Sequence, residues 1–254
     1  MRWSPLPILL LAGCSGLVSL NQSRPLAPAP VDATAAVDLR LDWQVIGHSV
    51  EGRPLRITRL GHGDRRVLWI GGIHGDEREG RIATEQLPHA FAAVPGAREA
   101  VTLTIFEDAN PDGSAANTRG NAHGVDLNRN FPAGNFLAGE RYGQRPTDQP
   151  EARALHDLVL EERPHLVIVA HAWRNDHFIN FDGPAERHAE LFGAKSGYRV
   201  KPSDKIAPTP GSLGSWVGRT LRIPILTLEY LRGSDPLADW LATREAILAV
   251  ILAR

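Results

Sequence analysis

Leu166-Val167-Ile168-Val169-Ala170-His171 is the stretch from which the rest of the chain can be read. Five successive apolar residues with no polar alternation suit a short strand buried on both faces of a sheet. The run closes on a histidine, where such a strand meets the edge of its sheet. Working backward, Glu151 to Glu161 has helical spacing, with Leu155, Leu158 and Leu160 apolar and Pro150 placed to start it. Working forward, Pro184 to Phe192 and Ser212 to Leu221 read as helices. Ile223 to Tyr230 reads as a strand and Trp240 to Leu252 as a closing helix.

The N-terminal half repeats the alternation. Trp43 to Ser49 and Leu55 to Leu60 are strand-like, with Glu51-Gly52 between them as a hairpin turn. Arg66-Val67-Leu68-Trp69-Ile70 is a short buried strand ending at Gly71-Gly72. A helix is expected over 78–94, with Ile82, Leu87 and Phe91 apolar, and a strand over Val101 to Phe106. Strands alternating with helices predict a three-layer α/β sandwich, with a mixed, mostly parallel central sheet flanked by helices. The segment 107–150, rich in Gly, Asn and Pro, is too long for a plain connection and is expected to be functional.

A length of 254 residues, 43% of them hydrophobic, suits one folded domain with some additional chain. The net charge of -1 comes with both signs interspersed and no basic run, which argues against a nucleic-acid partner. The single cysteine, Cys14, excludes an intrachain disulfide. It follows Arg2 and the apolar run Leu6 to Gly13, which is shorter than a membrane-spanning helix requires. Leu11-Ala12-Gly13-Cys14 resembles a bacterial lipobox. Residues 1–14 are therefore expected to be a lipoprotein signal peptide with Cys14 lipidated. Residues 15–38, including Pro25-Leu26-Ala27-Pro28-Ala29-Pro30, are expected to be a flexible tether, and 39–254 the folded domain. Ser15, in place of an aspartate, favours the outer membrane, by likeness to lipoproteins of two-membrane bacteria. The expected location is the periplasmic face of the envelope, anchored to the membrane by lipid.

Four short strings carry the chemistry. His74-Gly75-Asp76-Glu77 follows the strand at Ile70, and ligands of open α/β sheets gather beyond the carboxyl ends of strands. His171 joins His74 and Glu77 to complete a His2Glu set, which can hold one zinc ion with a position left for water. Glu229, in the apolar strand Ile225-Leu226-Thr227-Leu228-Glu229-Tyr230, is costly to bury ionised. A raised pKa would suit it to act as general base. The segment from Arg119 to Pro132 supplies Asn128 and Arg129, donors able to hold a carboxylate, and Arg119, placed to stabilise an oxyanion. Asp112, Asp126 and Asn130 are expected to tie that segment down, and Asn110-Pro111-Asp112-Gly113 to form a turn. Trp173 suits either the rim of the site or plain packing.

Together, in this order from Ser49-Val50-Glu51-Gly52-Arg53-Pro54-Leu55 to Tyr230, these strings resemble the zinc carboxypeptidase family. His-Gly-Asp-Glu, Gly124-Val125-Asp126-Leu127-Asn128-Arg129-Asn130-Phe131-Pro132 and Thr209-Pro210-Gly211-Ser212 look closest to its bacterial murein peptide amidases. The resemblance implies a zinc peptidase that cuts the γ-D-glutamyl–diaminopimelate bond of cell-wall peptides. His74, Glu77 and His171 would bind zinc, Glu229 would activate water and Arg119 would stabilise the oxyanion. Asn128 and Arg129 would hold the terminal carboxylate of the substrate. Two positions depart from the digestive members: no tyrosine lies in 204–209, and Asp76 stands where they carry an arginine. Two other readings compete. One is an N-acyl-amino-acid deacylase of the succinylglutamate desuccinylase type, which shares the ligands but not the extended Asn-Pro-Asp-Gly and Asn-Phe-Pro context. The other is a non-catalytic wall-binding lipoprotein, which the intact Glu229 argues against.

Overall fold

Eight strands form one sheet in the order β1-β2-β4-β3-β5-β8-β6-β7 in the computed structural model, which describes Met1 and residues 39–206 and 209–253. Cys14 and the expected signal and tether segments lie outside the described residues. The strands are β1 (Gln44–His48), β2 (Pro54–Leu60), β3 (Arg65–Ile70), β4 (Val101–Phe106), β5 (Leu166–Trp173), β6 (Phe178–Asp182), β7 (Arg199–Pro202) and β8 (Ile225–Leu231). The helices are α1 (Arg81–Ala92), α2 (Ala97–Ala100), α3 (Pro111–Ala116), α4 (Pro150–Glu162), α5 (Glu186–Ser196) and α6 (Pro236–Leu252). Four neighbouring pairs are parallel: β3–β4, β3–β5, β5–β8 and β6–β7. The other three, β1–β2, β2–β4 and β6–β8, are antiparallel. The expected mixed α/β sandwich is the fold observed.

Side chains of a strand alternate between its faces, and the central strands follow this into two cores. Val67 and Trp69 of β3, Leu166, Ile168 and Ala170 of β5, and Leu226, Leu228 and Tyr230 of β8 pack in one core with α1, α5 and α6. Leu68, Ile70, Val167, Val169 and Ile225 face the opposite way, against α4, Leu127, Phe131 and Trp216. Extending the second parity toward the carboxyl ends reaches His171 on β5 and, past Thr227, Glu229 on β8. The period that buries the core thus delivers both residues to one face at one edge of the sheet.

The structure differs from the sequence-based reading in several places: the helix expected over 78–94 is shorter, Arg81–Ala92, and the short α2 follows it. β6 and β7 were not expected: Asn180 and Asp182 interrupt β6, and β7 has only four residues with two bases and a proline, so neither carries an apolar run. They form by pairing on β8 and on each other. Asn110-Pro111-Asp112-Gly113 opens helix α3 instead of a plain turn. The Asn110 side chain caps it by accepting from Gly113 N at 3.0 Å, with Pro111 at the first helical position. The helix expected over Ser212 to Leu221 is a π-helical turn at Ser215–Thr220. α6 begins at Pro236, four residues before Trp240, because Asp235 caps it by accepting from Leu237 N at 3.0 Å.

Candidate metal centre and active site

His74 and Glu77 lie on the loop that leaves β3, and the loop is pressed close to α3. A Cβ on Gly75 would sit 1.9 Å from the Gly113 carbonyl carbon, so only glycine permits this approach. His171, from β5, arrives from the neighbouring strand end. Its ring centroid lies 4.6 Å from that of His74. His74 Nδ1 is 3.0 Å from Glu77 Oε1, and His171 Nδ1 is 2.9 Å from Glu77 Oε2. The three residues can each offer one ligand atom, all within 4.8 Å of one another, and are the group of this kind found among the described residues. Ligand atoms around a tetrahedral zinc are roughly 3.3 Å apart, so the spacing suits that ion.

One atom makes the fit specific. His74 Nδ1 is buried and has no hydrogen-bond partner: Glu77 Oε1 is near enough for an ion pair but off the direction a hydrogen bond needs. The other ring nitrogen is taken, since Nε2 lies 3.0 Å from Asp126 Oδ1. A carboxylate on the far nitrogen is the arrangement that turns an imidazole toward a metal and raises its basicity. Two imidazoles and a carboxylate, one nitrogen orphaned and oriented from behind, fit a zinc ion.

The charges point the same way. Burial alone would lower the pKa of His74, but the negative charges of Glu77 and Asp126 prevail and push it up to about 9. The pocket thus favours a cation at this ring. His171 is pushed down by its burial despite its contact with Glu77. Burial opposes ionisation of Glu77, yet the two histidines hold its carboxyl well below the usual range. Glu229 shifts in the opposite direction to Glu77. Burial, then the charge of Glu77, pushes it up to about 8.

Arg119 donates from Nη1 to Glu77 Oε1 and from Nε to Asp126 Oδ2, both at 2.9 Å. Asn128 Nδ2 lies 3.3 Å from His171 Nε2, and Asn128 Oδ1 accepts from Leu213 N at 2.9 Å. Arg129 donates from Nη1 to the Asn128 carbonyl at 2.7 Å. All the expected site residues of the folded domain therefore gather around one cluster. Asp112 and Asn130 serve as loop ties, as expected. Asp112 accepts from Ser49 Oγ and Glu51 N, and Asn130 Nδ2 donates to the Tyr142 and Arg145 carbonyls. Asp126 does more than tie the loop, because it orients His74. Its adjacency to Leu127-Asn128-Arg129 was the available signal. Trp173 is 39% exposed and meets Phe178 edge-on, which places it at the rim. A cavity of about 530 Å³ touches Glu77 from the α1 side, lined by Trp43, Arg53, Arg81 and Glu107 among others. Neither histidine nor Glu229 lines it.

The zinc carboxypeptidase family model matches residues 35–224. The chain belongs to the zinc carboxypeptidase family and is a zinc metallopeptidase, a hydrolase. Murein peptide amidase A of Escherichia coli K12 is 32% identical over 203 residues, covering 72% of this chain and 79% of the relative. The Vibrio campbellii protein of the same name is 29% identical over 200 residues, covering 72% and 77%. Among solved structures, the murein-tripeptide amidase of Escherichia coli O157 superposes with a TM-score of 0.71 at 24% identity, covering 86% of this chain and 95% of that one. Carboxypeptidase A of Helicoverpa armigera gives a TM-score of 0.71 at 18% identity, with 84% and 67% covered.

Proposed function

We propose that this protein hydrolyses the γ-D-glutamyl–diaminopimelate amide of cell-wall peptides. The observation that carries the reading is the meeting of the His74, Glu77 and His171 donors with a protonatable Glu229 at one sheet edge. The murein peptide amidase relatives support the choice of substrate.

Bound by the three ligands, zinc would supply Lewis-acid activation of water and of the scissile carbonyl. Glu229 takes a proton from the attacking water and passes it to the leaving amine as the C–N bond breaks. Arg119 donates to the oxyanion that forms on the carbonyl. Arg129, with Asn128 beside it, holds the free carboxylate of the diaminopimelate residue through charge-assisted hydrogen bonds. Asp126 keeps His74 and Arg119 in register with each other. The lipobox-like Leu11-Ala12-Gly13-Cys14 supports an enzyme tethered by lipid at the periplasmic face of the envelope, near intact peptidoglycan.

The test is mass spectrometry after incubating the zinc-loaded protein with muropeptides and, separately, with N-succinyl and N-acetyl amino acids. Release of diaminopimelate from the muropeptides alone supports the proposal. Turnover of the N-acyl amino acids alone transfers the site to the deacylase reading. One zinc per chain with no turnover of either supports a wall-binding role.

A further inference from the structure

A γ-glutamyl amide differs from an ordinary peptide bond in one recognisable way: it leaves the α-carboxylate of its glutamate free on the acyl side of the scissile carbon. A site adapted to that bond needs a second cation, besides the one that holds the leaving residue's carboxylate. From the structure we infer that Arg232 is that cation. The inference rests on the cell-wall peptide reading above and names the residue that selects for it.

Arg232 directly follows β8 and stands three residues beyond Glu229. Its Nη1 is 3.8 Å from Glu77 Oε1, and its Nη2 donates to Asp76 Oδ2 at 2.6 Å. The guanidinium therefore lies within one side chain of the metal cluster. The neighbouring cations are otherwise engaged. Arg119 is held by Glu77 and Asp126 and is assigned above to the oxyanion, and Lys201 donates to Asp176 and lies over the Phe178 ring. Arg129 comes from the 127–129 turn, on a different loop from Arg232.

A purely structural ion pair with Asp76 explains less. The backbone around Arg232 is already fixed, because Arg232 N donates to the Trp173 carbonyl at 2.8 Å and Gly233 N to Glu79 Oε1 at 2.7 Å. The side chain is not required to hold the loop. It remains 36% exposed. A guanidinium has five donors, and Asp76 occupies only one side of it, leaving the rest for a planar carboxylate. Asp76 fixes the orientation of the fork and thereby lowers the entropy lost on binding. The substitution of an acid for the digestive members' arginine at position 76 thus moves the cation to another strand end.

The test uses zinc-loaded protein and two tripeptides: one with a free glutamyl α-carboxylate and one with that group converted to a primary amide. Wild type is expected to favour the free acid by roughly 10- to 100-fold in kcat/KM, the range for one charge-assisted contact. Arg232→Ala should bring the ratio close to one, and Arg232→Lys should restore part of it. The internal ratio cancels any general loss of folded enzyme. Equal turnover of both tripeptides by wild type, or an unchanged ratio in Arg232→Ala, overturns the role of Arg232 while leaving the γ-glutamyl activity standing. No turnover of either tripeptide by wild type overturns both readings.

Discussion

His171 and Glu229 are register partners on the adjacent parallel strands β5 and β8. Register partners point to the same face, so a candidate metal ligand and the carboxylate across from it are set by a single strand pairing and not by loop packing. Glu229→Gln should keep one zinc per chain and lower kcat by roughly 10²- to 10⁴-fold, the usual share of a general base. Zinc analysis alongside steady-state rates checks both halves. Loss of zinc in this variant would mean that Glu229 is a ligand.

The same variant carries a stability prediction for the metal-free protein. Glu229 is pushed up to about 8 from 4.5, so the fold opposes its ionisation. The stability linked to this group is full below pH 4.5, declines as pH rises from 4.5 to about 8, and then levels off. Metal-free Glu229→Gln should therefore lose less stability than metal-free wild type between those pH values. Thermal melts across the window would read it.

Asp126→Asn should weaken zinc binding about 10- to 100-fold, because the carboxylate behind His74 Nε2 both orients the ring and raises its basicity. Competition with a chromogenic chelator measures this. Unchanged affinity would show that His74 needs no such partner.

Chelation should lower the melting temperature, since the binding energy of an ion held only by the native state adds to folding. At a free zinc concentration a thousand times Kd the gain is about 4 kcal/mol, or roughly 8–16 °C for a domain of this size. His171→Ala should abolish the zinc dependence of the melt.

Gly75→Ala should destabilise the domain by roughly 1–3 kcal/mol and weaken zinc binding. Its Cβ would meet the Gly113 carbonyl carbon at 1.9 Å and Ser114 N at 2.2 Å, which forces the His74 loop away from α3. Gly134→Ala, where a Cβ meets nothing within 4 Å, is the control and should stay within about 0.5 kcal/mol of wild type.

Much of this site is legible in the sequence because the central strands are apolar on both faces. A polar residue in such a run, as at His171 or Glu229, stands out against its neighbours. The long segment 107–150 announces itself by turn and cap residues that no plain connection needs. What the sequence does not reveal is of two kinds. β6 and β7 owe their extended form to pairing with strands distant in the chain, and their own residues carry no run or alternation strong enough to mark them. Arg232 and Asp126 look like ordinary surface and loop charges until the fold sets one beside Asp76 and the other behind His74. Their roles depend on contacts across 156 and 52 residues of chain, which local pattern does not encode.

The most direct measurement is anomalous diffraction at the zinc edge from crystals of the zinc-loaded protein. The account predicts one peak per chain, about 2.0–2.2 Å from His74 Nδ1, His171 Nδ1 and a Glu77 carboxylate oxygen. A peak at any other set of side chains, or none at these three with zinc present at one equivalent, would contradict it.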